Sequence, residues 1–162
     1  MRSFIKKLFR STPVVQEHVA SPPPTISDVM QAYAGDAVLH ARVLGFALDY
    51  SEASLSNVDS VLSKLTGSGV LVPKSPAEEE SFWQLSKKYG GYLGQVVIRE
   101  IGGAWEMQDL PSGGARVVLR SQGVQMFPLE KIFKRLTEDQ YSGVSGYCRA
   151  LRVIIERQNK NA

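Results

Sequence analysis

Glu100 and Glu106 flank a glycine pair, Gly102 and Gly103, and Tyr89 and Tyr92 lie a few helical turns upstream. This grouping carries the residue types of general acid–base chemistry. A glutamic acid partly withdrawn from water holds its proton at a higher pH than an exposed one, and so can donate it near neutrality. Glu100 follows the apolar stripe of its segment by about one turn, a place where partial burial is expected. The role also needs a second group within hydrogen-bond reach, and Glu106 is the nearest acid in the sequence. The other titratable groups stand alone. His40 has no second histidine or carboxylate at ligand spacing. Asp49 and Asp59 are too far apart to be read as a pair. Cys148 is the single cysteine, which excludes an intrachain disulfide and a thiolate metal cluster. No acidic cluster suits magnesium. The expectation is therefore no catalytic residue, no metal and no cofactor, with a small-ligand or enzymatic site around Glu100 and Glu106 as an alternative.

The elements that position these groups are well signalled. Ser75, Pro76 and Glu78 open a long central helix with a capping box, and Glu78 to Glu80 place negative charge at the positive end of its dipole. Phe82, Leu85, Tyr89, Leu93, Val96, Val97 and Ile101 recur at steps of three and four, one stripe of that helix. Gly102 and Gly103 stop it. Gly90, Gly91 and Gly94 fall inside it, each at about 1 kcal/mol against alanine. A phosphate cradle needs a preceding strand and a helix N-terminus. Mid-helix glycines instead predict the close approach of another element.

Upstream, Thr25 or Ser27 caps a helix with Ile26, Met30, Tyr33, Ala37, Ala41 and Leu44 on one face, reaching to about Leu48. Ser51 caps a second, with Leu55, Val58, Leu62 and Leu65, stopped by Gly67 and Gly69; a short connection favours an antiparallel hairpin of the two. Downstream, Trp105 and Met107 alternate with polar residues, Pro111 to Gly114 form a turn, and Val117 with Leu119 begins a return strand. A third strand follows at Val124 to Phe127. Pro128 opens a helix with Leu129, Ile132, Phe133 and Leu136 on its apolar face. Thr137 is read as the cap of a last helix carrying Val144, Tyr147, Leu151 and Ile154 or Ile155, its first half weakened by Gly143 and Gly146. The fold class is α+β: a helical hairpin, a long central helix, a three-stranded antiparallel meander covered by that helix, and one or two C-terminal helices.

The chain has 162 residues, 43% of them apolar, enough for one core. Of its 19 basic and 16 acidic side chains, Arg2, Lys6, Lys7, Arg10 and Glu17 lie before residue 25, so the net charge of +3 belongs to the tail and the rest is balanced. A nucleic-acid-binding domain is expected to carry its own positive charge. Residues 1–24 read as a basic amphipathic tail and proline-rich linker, residues 25–158 as a single domain, and 159–162 as a frayed end. In the tail, Phe4, Ile5, Leu8 and Phe9 share one helical face and Arg2, Lys6, Lys7 and Arg10 occupy much of the rest, a pattern suited to an anionic membrane surface. Ser11, Thr12 and Pro13 then fall where a secretory signal would need its apolar core. The expected location is the cytoplasm; attachment to the inner face of the membrane through residues 1–10 is one reading of the tail, beside a disordered basic start and docking on a partner's groove.

Three segments, LDYSEASLSNVDSVLSKL at Leu48–Leu65, YGGYLGQVVIREIGGAW at Tyr89–Trp105 and FPLEKIFKRL at Phe127–Leu136, together resemble a family of uncharacterised bacterial domains. That family carries a Leu-Asp-Tyr-Ser helix start, a Gly-x-Tyr-Leu-Gly helix ending in Gly-Gly-x-Trp, and a Pro-x-x-Lys-x-x-Lys-Arg segment. The resemblance spans most of residues 28–157 and implies one intact domain; it brings no catalytic residues. The functional expectation is a non-enzymatic interaction module, of adaptor, regulatory or immunity type, with an unidentified protein partner. Tyr92, Trp105, Lys131, Lys134 and Arg135 are the candidate partner contacts, the two aromatics on condition that they are exposed. The alternative is a nucleic-acid surface built from Arg116, Arg120, Lys131, Lys134 and Arg135 beside Trp105.

Overall fold

The computed structural model describes residues 21–161. The membrane-surface segment Arg2 to Arg10 lies outside the described residues. Helix α1 (Ile26–Val43) opens on Thr25, whose hydroxyl accepts from the Asp28 N–H while the Asp28 carboxylate accepts from the Thr25 N–H. This reciprocal cap selects Thr25 over Ser27. A single 3-10 turn (Glu52–Ser54) capped by Ser51 leads into α2 (Leu55–Thr66). Helix α3 (Pro76–Glu100) starts at Ser75, which accepts from the Glu78 N–H. Glu78 reaches one residue further back than a capping box requires and accepts from the Lys74 N–H. Strands β1 (Ala104–Asp109), β2 (Ala115–Ser121) and β3 (Val124–Met126) follow, then α4 (Pro128–Thr137) and α5 (Tyr147–Asn161).

The architecture is α+β, with a three-stranded antiparallel sheet in the order β1-β2-β3. The register sets Trp105 opposite Leu119 and Leu119 opposite Met126, so three core residues share one face. Gly103 lets β1 start close to β2: its φ is +129°, and a Cβ there would lie 2.6 Å from the Arg120 carbonyl oxygen.

The long helix is the hub. Tyr89, Tyr92, Leu93, Val96 and Val97 are completely buried in it. Its internal glycines each admit a different neighbour. A Cβ on Gly90 would lie 2.7 Å from the Leu129 Cα at the start of α4, one on Gly91 2.9 Å from the Met30 carbonyl oxygen of α1, and one on Gly94 2.0 Å from the Trp105 ring. The propensity cost of the three glycines is thus offset by backbone-close packing of α1, α4 and β1.

Several local expectations change. α1 takes its main packing from α3 rather than from α2, which reaches α4, so the short α1–α2 connection joins helices with different partners. The meander packs against α1 through β1 and α4 through β2, with α3 contributing the Gly94 seat for Trp105. Met107 does not continue the Trp105 stripe; it is 54% exposed. Thr137 ends α4 instead of capping the next helix, and its hydroxyl donates to the Phe133 carbonyl. The segment with Gly143 and Gly146 stays irregular, and α5 begins at Tyr147. It continues through Asn161, so residues 159–161 are helical rather than frayed.

Candidate functional site

The resemblance motifs meet on α3, and their geometry is structural. In Leu48-Asp49-Tyr50-Ser51, Leu48 is buried and the Asp49 carboxylate accepts from the Ser51 N–H and hydroxyl. Tyr50 adopts φ +64°, and its N–H donates to the Tyr92 hydroxyl at 2.8 Å. The Ser54 hydroxyl donates to the Ser51 carbonyl, so Tyr92 must donate to Ser54 Oγ, 2.6 Å away. Burial raises the Tyr92 pKa against the lowering effect of those bonds. Tyr92 is therefore a core residue that satisfies a strained turn, not a partner anchor. Trp105 is also core at 4% exposure, its ring pressed on Gly94. Both partner-binding assignments for the aromatics fall, because each aromatic fills space that a neighbouring glycine or turn leaves open.

The acid–base grouping does not assemble. Glu100 and Glu106 are surface residues. Glu106 pairs with Arg120 at 3.0 Å across the sheet, and Glu100 lies 3.8 Å from Arg152, which also pairs with Glu52 at 2.7 Å. Neither glutamate lines the groove between β3, α4 and α5 or the cavity at the end of α1. His40 Nδ1 lies 2.7 Å from the Tyr89 hydroxyl. Burial, followed by the charge of Lys88, lowers the His40 pKa, and burial drives that of Tyr89 upward. The pair satisfies a buried hydroxyl at the edge of the α1–α3 interface. Cys148 is buried, and its thiol is pushed up to about 11, chiefly by burial. Among the described residues no group of three metal-ligating side chains converges, and no helix is long and apolar enough to cross a membrane.

The basic residues separate into two sets. Arg135 is 3% exposed and donates to Ser63 Oγ at 2.8 Å, tying α4 to α2; it is unreachable for a partner in this arrangement. Arg120 is engaged by Glu106 and Gln125. Arg116, Lys131 and Lys134 come together instead, lining a groove of about 490 Å³ between β3, α4 and α5. Its apolar lining includes Val124, Met126, Phe127, Leu151 and Ile154, and Glu130 is its one acid. The Arg116 guanidinium lies over the Phe127 ring at 4.3 Å, a cation–π contact that holds it beside the groove. Lys131 donates to Ser142 Oγ, and burial lowers its pKa. Tyr147, on the α5 side, is pushed up to about 12 by burial first, then by Cys148 and Glu130. A second cavity, about 350 Å³, lies at the end of α1 around Val38, Arg42, Phe46 and Leu48.

Sequence reading found Lys131 and Lys134 as a basic face and Arg116 as its neighbour. It missed the groove, because Val124, Met126, Leu151 and Ile154 belong to elements whose packing had to be known. Comparison with family models, curated proteins and solved structures yields no match for this chain. The family resemblance rests on its motifs alone.

Proposed function

We propose that the chain is a non-enzymatic interaction module whose recognition surface is the groove between β3, α4 and α5. One observation carries this: an apolar groove is lined by three cations, Arg116, Lys131 and Lys134, against the single carboxylate Glu130. Apolar lining with a few convergent polar groups is the ordinary composition of a binding site. The residue types for acid–base chemistry support the non-enzymatic side of the reading. Glu106 is paired with Arg120, Glu100 lies beside Arg152, and His40 is bonded to Tyr89.

A nucleic-acid surface draws less support. Arg135 and Trp105 are core, and Arg120 faces Glu106, which leaves a cluster too small for a phosphate track. Residues 1–10 add a second element to the proposal: an amphipathic segment that brings the module to an anionic membrane surface on the cytoplasmic side.

Site-directed photocrosslinking tests the recognition surface. Ala150 is exposed and lines the groove; Leu39, 59% exposed on α1, is the control position. With a photoreactive phenylalanine at each position in host cells, a protein adduct specific to position 150 and insensitive to nuclease is expected. Equal adducts at both positions would remove the groove as a protein contact, and none at 150 together with no binding of a small ligand there would remove it from the reading. A nuclease-sensitive adduct would transfer it to nucleic acid. Flotation with anionic and neutral liposomes, comparing the full chain with one starting at Thr25, tests the tail: lipid binding is expected to require both anionic lipid and residues 1–24.

A further inference from the structure

We infer that the groove between β3, α4 and α5 accepts a medium-chain fatty-acid anion, with its hydrocarbon chain on Met126, Phe127, Leu151 and Ile154 and its carboxylate toward Lys131 and Lys134. The inference rests on the groove being a recognition surface and names the chemistry of its occupant. Two observations lead to it.

The first is size. At roughly 30 Å³ for each molecule of liquid water, a groove of about 490 Å³ corresponds to the volume of about sixteen water molecules. Decanoate has fewer non-hydrogen atoms than that; a bilayer-forming phospholipid has far more. A volume in this range is also typical of small-ligand sites, whereas a docked helix is itself about 10–12 Å across with its side chains.

The second is the distribution of charge. The apolar lining is supplied by Met126 of the sheet, Phe127, and Leu151 and Ile154 of α5. Lys131 and Lys134 are three residues apart on α4, on one side of the groove, and Arg116 stands over Phe127. One acid, Glu130, opposes three cations. Lys131 also feels Asp139 and Asp59 and donates to Ser142, and Arg116 donates to Gln108. Among the described residues, however, neither Arg116 nor Lys134 has an ion-pair partner. A neutral hydrocarbon would leave that charge unmatched, and a hydrophilic anion would leave the apolar lining wet. A carboxylate on a single alkyl chain answers both. It also fits the exposure of Ile154, a branched apolar side chain that is 45% exposed at the groove.

The test is a titration of the full chain with carboxyl-¹³C decanoate below its micelle concentration, followed by NMR and calorimetry, with decanol as the uncharged probe. Two variants change exposed groove residues and leave the core intact: Ala150→Trp to fill the groove and Lys134→Glu to invert one charge. Saturable one-to-one binding is expected, abolished by Ala150→Trp. Lys134→Glu should weaken it by about threefold or more, the range expected for losing and reversing a solvent-exposed ion contact. Decanol should bind more weakly than decanoate by a similar factor. Absence of saturable decanoate binding, indifference to Ala150→Trp, or equal binding of decanol would each overturn the proposal. If decanoate fails while the position-150 photoadduct persists, the fatty-acid assignment falls and the groove remains a protein contact. If both fail, the recognition surface falls with it.

Discussion

Replacing Gly94 by alanine should reverse the usual rule for a glycine within a helix. Helix propensity alone favours alanine by about 1 kcal/mol. Here the added Cβ would lie 2.0 Å from Trp105 Cζ2 and 2.3 Å from Cη2. A shift of a few tenths of an ångström cannot relieve such overlap. Trp105 is 4% exposed, so either its ring leaves its seat or α3 retreats from β1. Overpacking costs about 1–3 kcal/mol, and loss of a buried tryptophan about 3–5 kcal/mol. Net of the propensity gain, Gly94→Ala is expected to destabilise by about 2 kcal/mol. The decisive measurement is a double-mutant cycle in urea followed by circular dichroism, with Trp105→Leu as the second change. Once the ring is gone, alanine at position 94 should become neutral or stabilising, giving a coupling of about 2–3 kcal/mol. Gly35 supplies the control: it lies within α1, and a Cβ there would meet nothing within 4 Å, so Gly35→Ala should stabilise by about 0.5–1 kcal/mol. Equal destabilisation by Gly94→Ala with and without the Trp105 ring would refute the packing account of the α3 glycines.

Three further outcomes follow from the polar core. Tyr92→Phe should cost about 1–3 kcal/mol in chemical denaturation, because the Tyr50 N–H and the Ser54 hydroxyl lose a common partner; a loss below about 0.5 kcal/mol would contradict this. His40 has its pKa lowered in the folded chain from the ordinary 6.5, so the unfolded chain takes up the proton first as pH falls. Its contribution is therefore complete above about pH 6.5 and declines as pH falls toward the folded value, and His40→Gln should flatten the stability profile between about pH 5 and 7; parallel profiles would sink the assignment. Cys148, buried with its thiol pushed up to about 11, should react with iodoacetamide at about pH 8 roughly two orders of magnitude more slowly in the native protein than in guanidinium. Similar rates in the two states would show the thiol to be accessible.

The central helix was legible because every signal in it agreed: cap, acidic first turn, apolar stripe and glycine stop. The glycine run was legible as close approach, since three mid-helix glycines have a cost that only tertiary packing offsets. Which neighbour each glycine admits was not legible, because Met30, Trp105 and Leu129 are brought there by long-range topology. The partner of α1 was misjudged for a related reason. A short connection argues for neighbouring helices to pair, yet α1 buries its small residues Ala34, Ala37 and Ala41, and at Gly91 the α3 backbone comes close enough that a Cβ would lie 2.9 Å from the Met30 carbonyl oxygen, so α1 packs on α3. Thr137 shows the limit of local cap chemistry. Its hydroxyl has an equally local alternative in the Phe133 carbonyl, and the glycines that follow do not hold a helical turn.

The candidate site illustrates a separation between residues that shape the fold and residues that remain free to bind. The most distinctive strings in the sequence, Leu-Asp-Tyr-Ser and Gly-x-Tyr-Leu-Gly with Gly-Gly-x-Trp, have the look of functional motifs, but the hydroxyls and carboxylate of the first two are engaged by one another, Tyr50 to Tyr92 and Asp49 to Ser51, while the Trp105 ring is packed on Gly94 with its indole N–H buried and unbonded. A group satisfied in this way has nothing left to offer a ligand, and its removal registers in stability. Lys131 and Lys134 belong to a plainer string, the basic face of an amphipathic helix, whose commonest role is solvation. What changes their standing is not their type or spacing but what lies beside them. Phe127 with Arg116 above it, Met126 from the sheet and Leu151 with Ile154 from the last helix make an apolar groove next to three cations and one carboxylate. The two kinds of site answer to different assays. Substitutions at Tyr92, Trp105 and Gly94 should move the unfolding midpoint, whereas Ala150→Trp and Lys134→Glu should leave it nearly unchanged and act on binding, since both positions are exposed on elements whose buried faces they do not touch.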